Sequence, residues 1–482
     1  MNRENKAETI CALATVQGTS ALAVIRVSGD NSITIVNSVF KPFKGSNLSD
    51  TPGYKVRFGG IYKDNLLLDE VVVSIYRSPH SFTGENSVEI SCHGSNYIEQ
   101  EILMLLLSKG AKMAKPGEFS QRAFLNGKMD LAQAEAVADL ISSETASAHR
   151  IAMQQMKGGF SNELSQMRSS LLDLVSLMEL ELDFSEEDVE FADRTRLNNL
   201  LSEIIIHTSG LIDSFRLGNV IKNGVPVAIV GATNTGKSTL LNAILGEERA
   251  IVSEIHGTTR DFIEDVVNLD GVAFRFIDTA GIRQTKETIE IIGIERTFEK
   301  IRSATIVILM LDAERPEGFE DGLKQLLKAN IDEENQKVIV LINKVDITMK
   351  DRHKQYKKFT TDLVNSVCNK AEALGVSIHY TLPVSAKSLI GLEKLKELLI
   401  DTQKNVSVGV NTTLVSNLRH YQALQDARNS LLRVVDGIDS DLPTDLLTQD
   451  IREAIFHLGE IVGEINSEEV LENIFSKFCI GK

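Results

Sequence analysis

Apolar residues follow two rhythms along this chain, and the change of rhythm marks its parts. From residue 1 to about 126, short apolar runs alternate with turn residues: Ser20 to Val27, Leu66 to Tyr76 around Val71-Val72-Val73, and Ser87 to Ser91. Runs of this length and β-branched content predict strands, whereas Ile102 to Leu107, closed by Gly110, predicts a helix. The first part therefore reads as an α+β module.

From Lys128 onward the texture shifts to Ala, Leu, Glu and Gln with almost no Pro or Gly, which favours helix. Leu164, Met167, Leu171, Val175, Met178 and Leu182 recur at three- and four-residue steps, forming one apolar face of a long helix and belonging to a core. The acidic run Glu186-Glu187-Asp188, with Glu190 and Asp193, reads as a solvated turn without metal-ligand spacing. A second helical block begins near Thr412, with apolar positions at Leu447, Ile451, Ile455, Leu458, Ile461 and Val462. Neither block makes a domain alone. Packing them together turns the intervening nucleotide-binding unit, residues 220 to 406, into an insertion within a helical domain.

Composition bounds this picture. A chain of 482 residues exceeds one hydrophobic core, so about three domains are expected. Hydrophobic content of 43% and charge content of 24% are those of a soluble globular protein. There is no 18-residue apolar run and no basic-then-apolar start, which predicts a cytoplasmic location. Cys11, Cys92, Cys368 and Cys479 are scattered and read as reduced thiols. A net charge of −16 argues against gripping nucleic acid over a broad basic face, so any such role needs a local patch or a partner.

The candidate chemistry centres on Gly231-Ala232-Thr233-Asn234-Thr235-Gly236-Lys237-Ser238, between the apolar run Val225 to Val230 and a helix-like stretch Thr239 to Leu245, which Gly246 is expected to stop. This G-x-x-x-x-G-K-S spacing lets backbone N–H groups curl around phosphate; Lys237 reaches the terminal phosphates and the Ser238 hydroxyl ligates Mg²⁺. The helix beginning at Thr239 turns its positive end to the same anion. Gly257-Thr258-Thr259-Arg260-Asp261 suits a switch loop in which Thr259 completes the Mg²⁺ shell. The strand Val272 to Ile277 delivers Asp278-Thr279-Ala280-Gly281, with Asp278 facing the metal and Gly281 allowing approach to the γ-phosphate. The strand Lys337 to Asn343 ends in Asn343-Lys344-Val345-Asp346; a carboxylate at Asp346 accepts two hydrogen bonds from guanine that adenine cannot offer. Ser385-Ala386-Lys387 flanks the base. Five motifs in this order predict a GTPase core.

Two local features are left open by the residues themselves. Ile282 stands where Ras-like enzymes place a water-orienting Gln, so Gln284, Glu287 or Glu290 must serve; no arginine is an obvious built-in finger, and Arg260 and Arg283 are the local candidates. Arg26 and Glu89 lie inside apolar runs and Lys128 follows Phe124-Leu125-Asn126-Gly127; the first two either point outward on half-exposed strands or face a site.

Pro116-Gly117-Glu118-Phe119-Ser120, Arg122 to Asn126, Leu131-Ala132-Gln133-Ala134-Glu135-Ala136 and the tail Phe478-Cys479-Ile480-Gly481-Lys482 make the chain resemble, end to end, the MnmE (TrmE) family of tRNA-modification GTPases. The resemblance implies a multidomain α/β and α fold. It consists of an N-terminal α+β tetrahydrofolate-binding and dimerisation domain (1–126) and a helical domain (127–219 and 407–482) interrupted by a Ras-like P-loop G domain (220–406). It implies a homodimer that works with the flavin- and NADH-using partner MnmG, in a heterotetramer, on the wobble uridine of certain tRNAs. It forms a 5-aminomethyl or 5-carboxymethylaminomethyl group with 5-formyl- or methylene-tetrahydrofolate as one-carbon donor, and tRNA is contacted mainly through the complex. By the same resemblance Asn234, the backbone oxygens of Ser253 and Ile255, and Thr258 hold K⁺, with Glu254 and His256 in the same loop beside the nucleotide. Glu290 orients the hydrolytic water; Arg26, Glu89, Lys128 and Lys482 contact folate; and Cys479 is needed for modification. Ala232-Thr233 replaces the family's usual Arg-Pro on the loop surface.

An RNA-binding ribosome-assembly GTPase would need a basic domain, and a membrane-remodelling one an amphipathic basic helix or anchor; the chain offers neither. The last four residues mimic a prenylation signal, which Gly481 and Lys482 fit poorly.

Overall fold

The computed structural model describes residues 8–183, 194–248, 264–277, 298, 301–332, 336–349, 356–402, 413–465, 468–476, 478 and 480–481. The chain forms two compact units, Met1–Ser142 with Ala152–Ser209 and Gln422–Lys482, and Ser143–Ile151 with Gly210–Tyr421. The acidic run Glu186 to Asp193 lies outside the described residues.

The first unit contains a sheet of seven strands: β1 (Ile10–Leu13), β2 (Leu22–Ser28), β3 (Phe40–Pro42), β4 (Lys55–Lys63), β5 (Leu66–Tyr76), β6 (Ser87–His93) and β7 (Lys112–Met113). Their order is β3-β4-β5-β6-β2-β1-β7, and only the β1–β7 pair is parallel. Side chains alternate across a pleated strand, and the burial follows that period. Ala23, Ile25 and Val27, Val71, Val73 and Ile75, and Val88, Ile90 and Cys92 are buried on one face. There they share a core with Val36 and Ile102 of the helices Ser32–Val39 and Asn96–Ser108. The alternate positions, Arg26 and Glu89 among them, project from the opposite face. Burial pushes the Cys11 thiol up to about 11; burial, then the nearby Asp69 and Glu99 charges, push Cys92 up to about 12, so both are inert thiols at neutral pH.

The expected apolar stripe is buried at Leu164, Met167, Leu171, Val175 and Met178 of the helix Gly159–Asp183, and the side chain of its last member, Leu182, lies outside the described ones. That helix packs along Thr444–Val462, whose Leu447, Ile451, Ile455, Leu458, Ile461 and Val462 are also buried. The helical blocks before and after the central segment thus share one packing layer.

The family-like sequence blocks meet at the end of the same unit. Phe475, on the helix Glu468–Ser476, is buried with Leu131 and Ala134, and Phe124, Met129 and Phe478 pack around them. Gly117 precedes the helix Glu118–Leu125 with φ 65°, and a Cβ there would lie 2.5 Å from the Phe475 carbonyl oxygen. Only glycine allows this backbone to come so close.

The second unit contains the strands β8 (Val225–Val230), β9 (Glu264–Leu269), β10 (Val272–Ile277), β11 (Ile306–Asp312), β12 (Lys337–Asn343) and β13 (Tyr380–Pro383), ordered β13-β12-β11-β8-β10-β9. All pairs are parallel except β9–β10. A parallel sheet must be covered on both faces, which explains the near-continuous apolar strands. One core joins Ile229 and Phe274 to Leu240, Ile244 and Leu395; the other joins Val230 and Val340 to Phe319, Leu323 and Val367. Strand order reverses at β8, the place where such sheets open a crevice at their C-terminal ends. Contrary to the expectation from sequence, Gly246 does not stop its helix, which runs Lys237–Glu248. With φ outside the left-handed region and no atom within 4 Å of a Cβ, this glycine is a tolerated interior residue that costs about 1 kcal/mol relative to Ala.

The segments entering and leaving this sheet lie side by side. The Val415 N–H donates to Ser214 Oγ at 3.0 Å, and Phe215 stacks on Tyr421 with centroids 4.4 Å apart. Among the described residues no helix is long and apolar enough to cross a membrane.

Phe475 is 2% exposed, so Phe475→Ala is expected to destabilise the first unit by about 3–5 kcal/mol. Urea unfolding followed by fluorescence or circular dichroism checks this, and an unchanged midpoint would contradict the packing role.

Candidate nucleotide site and an arginine–glutamate pair

The buried strand β8 ends at Gly231, and the following loop folds back on itself. Thr235 Oγ1 donates to the Ala232 carbonyl at 2.9 Å, and Lys237 Nζ donates to the carbonyls of Gly231 and Ala232, each at 2.8 Å. The ammonium is thereby held over the loop at the N-terminus of the helix Lys237–Glu248, where backbone N–H groups and the helix dipole favour an anion. Asn234 takes φ 65°, a left-handed value that asparagine tolerates better than most residues, and its side chain is exposed. Ser238 and Thr239 are exposed on the same first turn.

Asn343, at the end of β12, is 3% exposed and ties three loops together. Its Nδ2 donates to the Thr235 carbonyl at 2.7 Å and its Oδ1 accepts from the Ala386 N–H at 3.0 Å. A Cβ on Gly236 would lie 2.4 Å from that Nδ2, so the second glycine of the motif makes room for the bridge. Lys344 follows with φ 68° and places Nζ 2.6 Å from Asp312 Oδ2.

Asp346 is braced on both oxygens: Ser385 Oγ donates to Oδ1 at 2.7 Å and Ser388 Oγ to Oδ2 at 3.0 Å. Burial works to raise this carboxyl. The two hydroxyl bonds, its own backbone N–H and nearby Lys387 together outweigh burial and hold it below the usual carboxylate range. A fixed, ionised carboxylate of this kind suits a base edge offering two adjacent N–H donors. Lys387 is exposed.

A second polar group stands in the first unit. Arg26 and Glu89 are direct cross-strand partners, joined at 3.0 Å through Nε and 2.8 Å through Nη2. Tyr76 Oη lies 3.4 Å from the other Glu89 oxygen, and Arg26 Nη1 reaches the Gly481 carbonyl at 3.5 Å. The guanidinium sits 5.2 Å from the Phe82 ring centroid and 5.7 Å from that of Phe119. The pair is therefore not simply outward-facing on a half-exposed strand. Lys128 is exposed and donates to the Pro79 carbonyl at 2.9 Å.

Sequence reasoning missed Ser388, Asp312, Tyr76 and Phe82, and it singled out Phe119 as part of a motif without its place beside Arg26. Of the first four, Asp312 alone carried a signal, as a carboxylate closing an otherwise apolar strand. Ser253, Glu254, Ile255, His256, Gly257, Thr258, Thr259, Arg260, Asp278, Thr279, Ala280, Gly281, Ile282, Arg283, Gln284, Glu287, Glu290, Cys479 and Lys482 lie outside the described residues. Among the described residues no cluster of three His, Cys, Asp or Glu could hold a metal.

Strand order, the lysine-bearing glycine loop at a helix start and the braced carboxylate beside it define a P-loop GTPase. A family model described as the MnmE helical domain matches residues 131–479, and one described as the GTP-binding protein TrmE N-terminus matches residues 9–128. The tRNA modification GTPase MnmE of Bacteroides thetaiotaomicron is 50% identical over 481 residues, covering 98% of this chain and 99% of that protein. That of Cytophaga hutchinsonii is 50% identical over 482 residues, covering 99% and 98%. A GTP-binding protein from Sulfolobus solfataricus in complex with GDP overlaps only loosely, at 17% identity and TM-score 0.29 over 65% of this chain and 78% of that one. The chain belongs to the MnmE (TrmE) family.

Because the Asp346 carboxyl is depressed in the folded protein, its ionised form persists as pH falls through the ordinary carboxylate range near about 4 and is lost only below it. Removing both hydroxyls with Ser385→Ala and Ser388→Ala should raise the pH at which GDP binding is lost, as read by titrating a fluorescent GDP analogue across pH. An unmoved midpoint would sink the bracing role.

Proposed function

We propose that this chain is the GTP-hydrolysing component of wobble-uridine modification in tRNA. The observation that carries the reading is the 50% identity to a tRNA modification GTPase over 98% of the chain. It acts as a cytoplasmic homodimer with a flavoprotein of the MnmG type, and a tetrahydrofolate derivative supplies the one-carbon unit. A regulatory GTPase that only binds RNA is disfavoured by the acidic balance of the chain.

In this reading Asp346 accepts from the guanine edge, while Asn343 and Lys344 support the base and Ser385, Ala386 and Lys387 close its far side. Asn234, Thr235, Gly236, Lys237, Ser238 and Thr239 hold the phosphates and metal. The residues fit Mg²⁺, because Ser238 presents an exposed hydroxyl beside the phosphate-seeking Lys237. When bound, Mg²⁺ neutralises charge on the phosphate oxygens. The exposed Asn234 side chain suits a K⁺ ligand, with Ser253, Ile255 and Thr258 completing the shell and Glu290 orienting water. A charged pair set against two aromatic rings suits a planar heterocycle with polar edges, which favours folate at Arg26 and Glu89, with Lys128 and Lys482 nearby. Cys479 serves the modification step rather than hydrolysis.

GTP turnover is expected to be much faster in KCl than in NaCl at matched ionic strength, measured by phosphate release; equal rates would remove the potassium role. Nucleoside analysis of tRNA from a strain lacking this gene should show unmodified wobble uridine that the restored gene repairs. Failure of that repair would overturn the assignment.

A further inference from the structure

We propose that Asp312 is a positioning residue for nucleotide binding, holding Lys344 in place so that the arm Lys344–Asp346 meets the base already formed. The proposal rests on the reading of that arm as the guanine side of the site. Its starting point is a costly placement. β11 is fully buried from Ile306 to Leu311, yet it ends in a carboxylate whose side chain is only 11% exposed. A poorly solvated charge needs a partner, and an unpaired anion at the mouth of a phosphate-binding crevice would repel the ligand.

The partner is Lys344. Asp312 and Asn343 are register partners on β11 and β12, and the Ala313 N–H donates to the Asn343 carbonyl at 2.9 Å, so the two strand ends stop side by side. The chain then turns sharply at Lys344, whose φ of 68° is unfavourable for a long side chain. The 2.6 Å contact between Lys344 Nζ and Asp312 Oδ2 holds the side chain over this turn. It also neutralises the carboxylate. Asp312 Oδ1 accepts from the Glu314 N–H at 3.0 Å, which fixes the carboxylate plane. Glu314 lies 3.9 Å from the same ammonium, but its side chain is 42% exposed and makes a far weaker claim on it. Lys344 thus has one end held by Asp312 and a stem left to lie along the base. Asp346, two residues on, accepts from Ser385 and Ser388.

Asp312→Asn separates charge from shape, because the amide oxygen can still accept from the Glu314 N–H. In the full chain, fluorescent-GDP titration and steady-state GTP hydrolysis should show Kd for GDP and KM for GTP rising about tenfold or more, the size expected for losing a charge-assisted hydrogen bond. Turnover number should stay within about twofold, and competition by inorganic tripolyphosphate, which engages only the phosphate loop, should be unchanged. Asp312→Glu should recover part of the affinity, and Glu314→Gln should match the unaltered chain. A merely structural role would instead lower turnover and tripolyphosphate binding together, and that outcome would overturn the proposal. So would Asp312→Asn binding GDP as tightly as the unaltered chain while that chain still prefers GDP to ADP. An unaltered chain that does not prefer GDP to ADP would overturn the reading of the arm, and the proposal with it.

Discussion

One buried amide joins the parts of the nucleotide site. Asn343 is buried between the phosphate loop and the Ala386 loop, and both its oxygen and its nitrogen are engaged. A buried amide left half-satisfied would cost a substantial fraction of a domain's stability, so the three loops it touches are held as a set. Gly236 is part of the same constraint, since its missing side chain is the space the amide occupies. Lys344 and Asp346 follow directly on Asn343 and inherit its position. Their orientation is completed by groups outside the motif, namely Asp312 on one side and Ser385 with Ser388 on the other.

The first unit has a comparable junction made of apolar contacts. Gly117, Phe124, Leu131, Ala134, Phe475 and Phe478 come from three segments of the chain and exclude water together. This packing brings the last residues back to the start of the sheet, where the Gly481 carbonyl faces Arg26. Arg26 and Glu89 would be costly on a partly covered strand face if either stood alone. Paired across adjacent strands and set beside Phe82 and Phe119, they are a satisfied, oriented group of charges.

Much of the architecture was legible because its strongest signals are local. The strands Leu66–Tyr76, Val272–Ile277 and Lys337–Asn343 occur with the bounds that their apolar runs predict. The helical stripes are buried as their spacing requires from Leu164 to Met178 and from Leu447 to Val462. Less legible were β1, β3 and β7, of four, three and two residues, which are too short to show a period. β4 carries Gly59-Gly60 in its middle and so resembles a turn. Gly246 looked like a helix stop, but a glycine ends a helix only where the backbone turns left-handed, and here it does not.

The class of nucleotide loop, the order of the motifs and the family are readable from the residues alone. Each motif is a run of neighbouring residues, where chain geometry leaves few alternatives, and their order is simply the order of the chain. What Arg26 faces, what holds Lys344 and how many hydroxyls brace Asp346 emerge only once the chain is folded. Arg26 and Glu89 are 63 positions apart, Asp312 and Lys344 are 32 apart, and Asp346 and Ser388 are 42 apart. Such pairs are set by strand register and loop closure, and a shift of one residue in either would put the same side chains on opposite faces.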